Sequence, residues 1–182
     1  MIVVISGTNR PGAKTLAVAK IVDGILQKAG ERTQLLDLTD LPHGLFTPEA
    51  YTTKPPEFEA FQRAILEARG ILTVVPEYNG SYPGVLKHFI DMLSFPESLV
   101  DKPAGFVGLS AGRWGGIRSV EQLKMVMQHR HAHLYGRACY LPGIGGLLDD
   151  DGRVTDPEVE ERLQESVTGF ADFCRSLHSD NP

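Results

Sequence analysis

The sequence predicts a doubly wound α/β fold, with a five-stranded parallel sheet between two layers of helices. Two observations carry this expectation. Short, continuous, β-branched apolar runs, typical of strands buried on both faces, alternate along the chain with stretches of helical periodicity. The loops that follow the first, third and fourth runs have the least ordinary composition in the chain, as expected where ligands bind beyond the carboxyl ends of parallel strands. Five strands fit the order 2-1-3-4-5. The 182 residues suit one compact unit, so the whole chain, 1–182, is read as a single domain.

The elements follow in order. Ile2-Val3-Val4-Ile5 is the first buried strand, and Ser6 to Lys14 a polar loop. Thr15 to Ala29 carries Leu16, Ala19, Val22 and Leu26 at helical spacing, and Gly30 marks a stop. Thr33 to Leu38 is the second strand. Leu41 to Pro56, with four prolines, is expected to be loop. Glu57 to Ala68 places Phe58, Phe61, Ile65 and Ala68 on one helical face, with Gly70 as its terminator. Ile71 to Val75 is the third strand and Pro76 to Tyr82 the second special loop. Pro83 opens a helix running to about Ser94. Ala104 to Leu109 is the fourth strand, Ser110 to Gly115 the third special loop, and Gly116 to about His133 a helix. Arg137 to Leu141 is the fifth strand and Pro142 to Arg153 a Gly/Asp-rich loop. Asp156-Pro157-Glu158 combines an N-cap with a proline at the first position of a final helix.

Hydrophobic residues at 42% and charged residues at 23% supply a packed core and argue against disorder. A net charge of -5 disfavours nucleic-acid partners. No apolar run approaches the roughly 20 residues that span a bilayer, and no basic segment precedes the first strand. A cytoplasmic protein without a membrane partner is expected. Cys139 and Cys174 form no CxxC pair and are expected as small core residues.

The first loop, Ser6 to Thr15, joins a strand to a helix N-terminus, where unpaired amides and partial positive charge suit a phosphate. Thr8 and Thr15 offer hydroxyls and Arg10 a guanidinium fork. The loop matches neither GxGxxG nor GxxxxGK[ST], which disfavours a dinucleotide fold and a P-loop NTPase; an ordinary capped turn is the plainer alternative. The second loop, Pro76-Glu77-Tyr78-Asn79-Gly80-Ser81-Tyr82-Pro83-Gly84, has exposed backbone and flat tyrosines that suit the polar edge of a heterocycle. The alternative is a turn with core tyrosines. In the third loop, Ser110-Ala111-Gly112-Arg113-Trp114-Gly115-Gly116, glycines allow close approach of a ligand. Trp114 would stack on a ring, fill a subunit interface or sit in the core.

Together these loops resemble the NADPH-dependent FMN reductase family. The resemblance is strongest from Pro76 through Lys87, continuing through Ile90-Asp91 and Leu93-Ser94. Ser110 to Gly116, Glu121-Gln122-Leu123 and Gly7-Thr8-Asn9-Arg10 followed by Thr15 agree with it. It covers about residues 1 to 145 and implies a flavodoxin-like three-layer fold. It further implies that Thr8, Arg10 and Thr15 hold the FMN phosphate and that Pro76, Glu77, Tyr78, Asn79 and Gly80 line the ring. Ser110, Gly112 and Gly115 would border the ring from the third loop. The family usually has a serine where this chain has Ala13. The implied activity is hydride transfer from NADPH or NADH to FMN and on to a small-molecule acceptor such as a flavin or quinone, in ping-pong order, with no catalytic acid or base. An FMN-binding electron carrier without nicotinamide turnover is the alternative. The family commonly forms dimers or tetramers, and the helix from Pro83 to Ser94 has more apolar residues than one buried stripe needs: Val85, Leu86, Phe89, Ile90, Met92 and Leu93.

Other patterns carry less. His129 and His133 would share a helical face at i, i+4, but nothing nearby completes a metal set. Asp149-Asp150-Asp151-Gly152 lacks the alternate-ligand spacing of a calcium loop. Ser6 and Ser110 lack a GxSxG setting.

Overall fold

The structure, a computed structural model, describes residues 1–149 and 151–179. Its strands are β1 (Ile2–Ser6), β2 (Thr33–Asp37), β3 (Gly70–Pro76), β4 (Pro103–Leu109), β5 (His133–Leu134) and β6 (Cys139–Leu141). Its α-helices are α1 (Lys14–Lys28), α2 (Glu59–Glu67), α3 (Gly84–Met92), α4 (Ile117–His129), the short α5 (Ile144–Leu147) and α6 (Pro157–Ser179). All strand pairs are parallel, in the order β2-β1-β3-β4-β5, and β6 also pairs with β4.

The expected order is therefore present. β1, β3 and β4 are buried along their whole length, which is why their sequences do not alternate. One face packs Val3, Ile5, Ile71 and Phe106 against α2, α3, α4 and the segment 38–58. The other packs Ile2, Val4, Leu72 and Val107 against α1 and α6. The register brings Ser6 beside Asp37 and Val74, Pro76 beside Leu109, and Leu109 beside Leu141. The three special loops thus leave the sheet at one level, around the β1–β3 switch point.

Several expectations are corrected. The fifth strand is interrupted: β5 and β6 meet β4 on either side of residues 135–138. α4 ends at His129, before His133, because His131 adopts φ +61°. The His131 amide then bonds the Gln128 carbonyl and the Ala132 amide that of Met127, which closes a Schellman turn. His129 and His133 lie on different elements and share no helical face. Gly70 does not end α2; it begins β3, and the Lys102 ammonium caps α2 by bonding the carbonyls of Leu66 and Ala68 at 2.9 and 2.8 Å. The 41–56 loop contains short 3-10 turns. On α3 and at its C-cap, Leu86, Phe89, Ile90, Met92 and Leu93 are all buried within the chain. Their apolar excess therefore needs no second subunit.

α6 fits into notches that glycine alone leaves open. A Cβ on Gly70 would lie 2.4 Å from Cys174 Sγ, and one on Gly105 2.7 Å from the Phe170 ring. Both cysteines are buried and unpaired with each other. The helix starts as expected, Asp156 Oδ1 accepting the amides of Glu158 and Val159 at 3.0 and 3.3 Å. In the acidic turn Asp149 Oδ1 accepts the Arg153 amide at 2.8 Å; Asp150 lies outside the described residues.

Candidate functional site

The three loops enclose a cleft of about 330 Å³ at the carboxyl ends of β1, β3 and β4. Its lining includes Arg10 and Thr15 from the first loop, Pro76, Glu77 and Tyr78 from the second, and Ser110 and Ala111 from the third. Ile144, from α5, completes the lining; sequence reasoning missed it because residues 142–153 read as loop. Its amide bonds the Ser110 carbonyl at 3.0 Å, which ties α5 to the third loop.

The first loop turns sharply because Gly7 lies on β3, its amide 2.9 Å from the Val74 carbonyl, where a Cβ would come within 2.7 Å of that oxygen. Ala13 is the N-cap of α1 in extended geometry, with no side chain capping the helix. No side chain meets the first-turn amides at this end, and the Leu16 amide bonds the Ala13 carbonyl at 3.3 Å. Arg10 is exposed and Thr15 is buried beneath the helix start. Thr8 is turned elsewhere. Buried at 1% exposure, its hydroxyl lies 3.0 Å from the Tyr78 hydroxyl and accepts the Arg10 amide at 3.3 Å. It joins the first loop to the second and lies outside the lining of this cleft.

The second loop ends in a tight two-residue turn. Tyr78 and Ser81 exchange backbone hydrogen bonds of 2.8 and 3.1 Å around Asn79 at φ +51° and Gly80 at φ +78°. Positive φ at both central positions makes this an Asn-Gly type I′ turn. A Cβ on Gly80 would meet nothing within 4 Å, so the requirement for glycine is one of backbone angle. α4 braces the turn: Gln122 Nε2 donates to the Gly80 carbonyl at 2.9 Å, and Ser81 Oγ donates to Gln122 Oε1 at 2.7 Å. One helical turn earlier, Arg118 Nη1 lies 3.6 Å from Glu77 Oε1. The other Glu77 oxygen is buried with no hydrogen-bond partner, and Glu77 is one of the residues that line the cleft.

In the third loop, Ser110 Oγ donates to the Gly112 carbonyl at 3.0 Å. Gly115 and Gly116, at φ +60° and +83°, answer to the protein's own backbone. A Cβ would come 2.9 Å from the Leu141 nitrogen at the first and 2.6 Å from the Leu109 nitrogen at the second. Gly112, Gly115, Asn79 and Gly80 are near the cleft in sequence but outside its lining. Trp114 is not a core residue; it is 54% exposed with the Arg113 guanidinium 4.7 Å from its ring centre.

The sequence profile of the NADPH-dependent FMN reductase family matches residues 1–144. The chain belongs to the NADPH-dependent FMN reductase family. Family membership makes it an oxidoreductase. Among relatives of the family, an NAD(P)H-dependent FMN reductase of Pseudomonas aeruginosa is 30% identical over 177 residues, 95% of this chain and 94% of that protein. A quinone reductase of Escherichia coli K12 is 29% identical, covering 97% of this chain and 96% of its own. The solved structure of FerB, a flavoenzyme NAD(P)H:(acceptor) oxidoreductase from Paracoccus denitrificans, superposes with a TM-score of 0.82 at 25% identity. That match covers 96% of this chain and 97% of FerB. An archaeal flavodoxin, at 12% identity and a TM-score of 0.64, shares the fold. The match ends at residue 144, although α6 completes one face of the sheet. Among the described residues no helix is long and apolar enough to cross a membrane.

Proposed function

We propose that the cleft binds FMN and that the chain, as a single domain, is an NAD(P)H-dependent reductase of a small-molecule acceptor, a flavin or quinone. The observation that carries this reading is the pairing of an uncapped helix N-terminus with a buried, donorless carboxylate oxygen in one cleft. The first suits a phosphate and the second suits a heterocycle that carries an N–H. Arg10, Thr15 and the amides of Lys14 and Thr15 would hold the phosphate. Thr8 would act through Tyr78, fixing its ring at the cleft wall. Pro76, Glu77, Tyr78, Asn79 and Gly80 would line the ring through side chains and turn backbone, and Ser110, Gly112 and Gly115 would shape the opposite border. When bound, FMN would supply the hydride chemistry between the nicotinamide and the acceptor, which we propose follow one another in ping-pong order. The protein's part is position and charge, and no side chain is assigned as acid or base.

A homodimer or homotetramer is part of this reading. Its support is the exposure of Phe95 and Met125, 65% each, beside a groove of about 500 Å³ between α3 and α4. The test of the site is binding of FMN against riboflavin. Arg10→Ala is expected to weaken FMN by about tenfold, the worth of one charge-assisted bond, and riboflavin little. Equal weakening of both would remove Arg10 from the phosphate. Oxidation of NADPH or NADH with a quinone separates a reductase from an electron carrier, which would bind FMN and turn over neither.

A further inference from the structure

The first loop has two sides. Residues 10–13 wall the cleft described above on one side, and on the other they bound a second cleft of about 240 Å³ towards β2. Ser6, Thr8, Leu16, Asp37 and Thr39 complete its lining. Ser6 and Asp37 are the last residues of β1 and β2 and are direct partners in the register, so their side chains stand on one face of the sheet. Ser6 is 1% exposed and its hydroxyl has no hydrogen-bond partner. Asp37 Oδ1 accepts the Thr39 amide at 3.1 Å. A buried hydroxyl without a partner beside a carboxylate and a threonine is a set of groups that a ligand's hydroxyls would complete.

We propose that this second cleft seats the adenosine ribose of the nicotinamide nucleotide, and that Asp37 makes NADH a better substrate than NADPH. The proposal rests on the reading of the main cleft as the flavin site. In a dinucleotide the second ribose lies a pyrophosphate beyond the first. Residues 10–13 are the wall the two clefts share, so a dinucleotide that entered the main cleft would reach the second across them. Ribose hydroxyls donate to a carboxylate, and Ser6 serves them as donor or acceptor. A 2′-phosphate would bring a second anion against Asp37. Arg10, the cation of this cleft, stands on the shared wall, where the flavin phosphate claims it.

Asp37→Asn tests this, because asparagine keeps an oxygen for the Thr39 amide and removes the charge. Two measurements are made on flavin-loaded protein: kcat/KM for NADH and NADPH with one quinone, and calorimetric Kd for 5′-AMP and adenosine 2′,5′-bisphosphate. The wild type is expected to favour NADH and 5′-AMP. Asp37→Asn is expected to narrow both preferences by about fivefold or more, through KM and not kcat, since a partly screened charge is removed. Ser6→Ala should weaken 5′-AMP and adenosine 2′,5′-bisphosphate alike. A wild-type preference for NADPH, or preferences unmoved by Asp37→Asn, would overturn the proposal. If flavin-loaded protein oxidises neither nucleotide, the reductase reading fails, and the two Kd values still judge the cleft.

Discussion

Replacing Ala13 by serine puts one hydroxyl at the start of α1. The backbone there, φ -66° and ψ 140°, is already that of a capping residue, so serine enters without strain. Its oxygen would accept the amide of Thr15 or Leu16, the second and third residues of the helix. A serine cap in place of alanine stabilises a helix by about 1 kcal/mol. For a chain of 182 residues that raises the melting temperature of the apo protein by about 2–4 °C. The hydroxyl proton remains available, because a hydroxyl accepts and donates at once. If a phosphate sits at this helix end, that proton adds a hydrogen bond worth about 1–2 kcal/mol, which tightens FMN roughly five- to thirtyfold. Riboflavin, without the phosphate, should not follow. Thermal melting of apo protein and fluorescence titrations with FMN and riboflavin measure the two effects separately. A higher melting temperature with unchanged FMN affinity would mean that the helix is capped as argued but no phosphate lies there. Equal tightening of FMN and riboflavin would refute the geometry from the other side.

Three further outcomes are expected. Gly80→Val should lower flavin content far more than apo stability. The forced φ costs about 1–2 kcal/mol locally, while the turn lies at the edge of the core. Asn79 shares the left-handed geometry, so Asn79→Gly should retain flavin and Asn79→Ala should lose some of it, as flavin absorbance alongside melting would report; full occupancy in Gly80→Val would detach the ring from this turn. The thiols should be inert at pH 8 to a disulfide-exchange reagent until the protein is unfolded. Burial pushes Cys174 up to about 12 and raises Cys139 as well, so thiolate is scarce at both, and rapid native-state labelling would contradict their packing.

The sheet was legible because its central strands are buried on both sides and say so in uninterrupted apolar runs such as Ile2–Ile5 and Ile71–Val75. The switch-point loops were legible by composition, and the cleft draws on all three. Most of what escaped has its physical origin in contacts between distant residues. α4 overran in the reading because its stop is a histidine in a position that glycine usually holds, and nothing between Gly116 and Gly136 signals a break. α2 is capped by Lys102, 34 residues beyond Ala68, which no local pattern reveals. At glycines 115 and 116 a Cβ would collide with the backbone of β4, the end of β6 and Pro142, a demand that loop composition does not reveal. The sequence does not reveal that the Thr8 hydroxyl lies 3.0 Å from that of Tyr78, a pairing 70 residues apart. Ile144 and Gln122 complete the site from elements that contribute no special loop of their own.

The notches that receive α6 bear on how the chain is made. Until that 23-residue helix is synthesised, the face formed by Ile2, Val4, Leu72 and Val107 lacks part of its cover. At ordinary rates of translation the interval lasts about 1–5 s, far longer than collapse of the nascent chain takes. During it the growing polypeptide offers an oily strip to chaperones or to its neighbours on the same messenger. A fragment cut where the family likeness ends, at residue 144, would keep that strip permanently. Such a fragment would accumulate as aggregate, however complete its ligand loops.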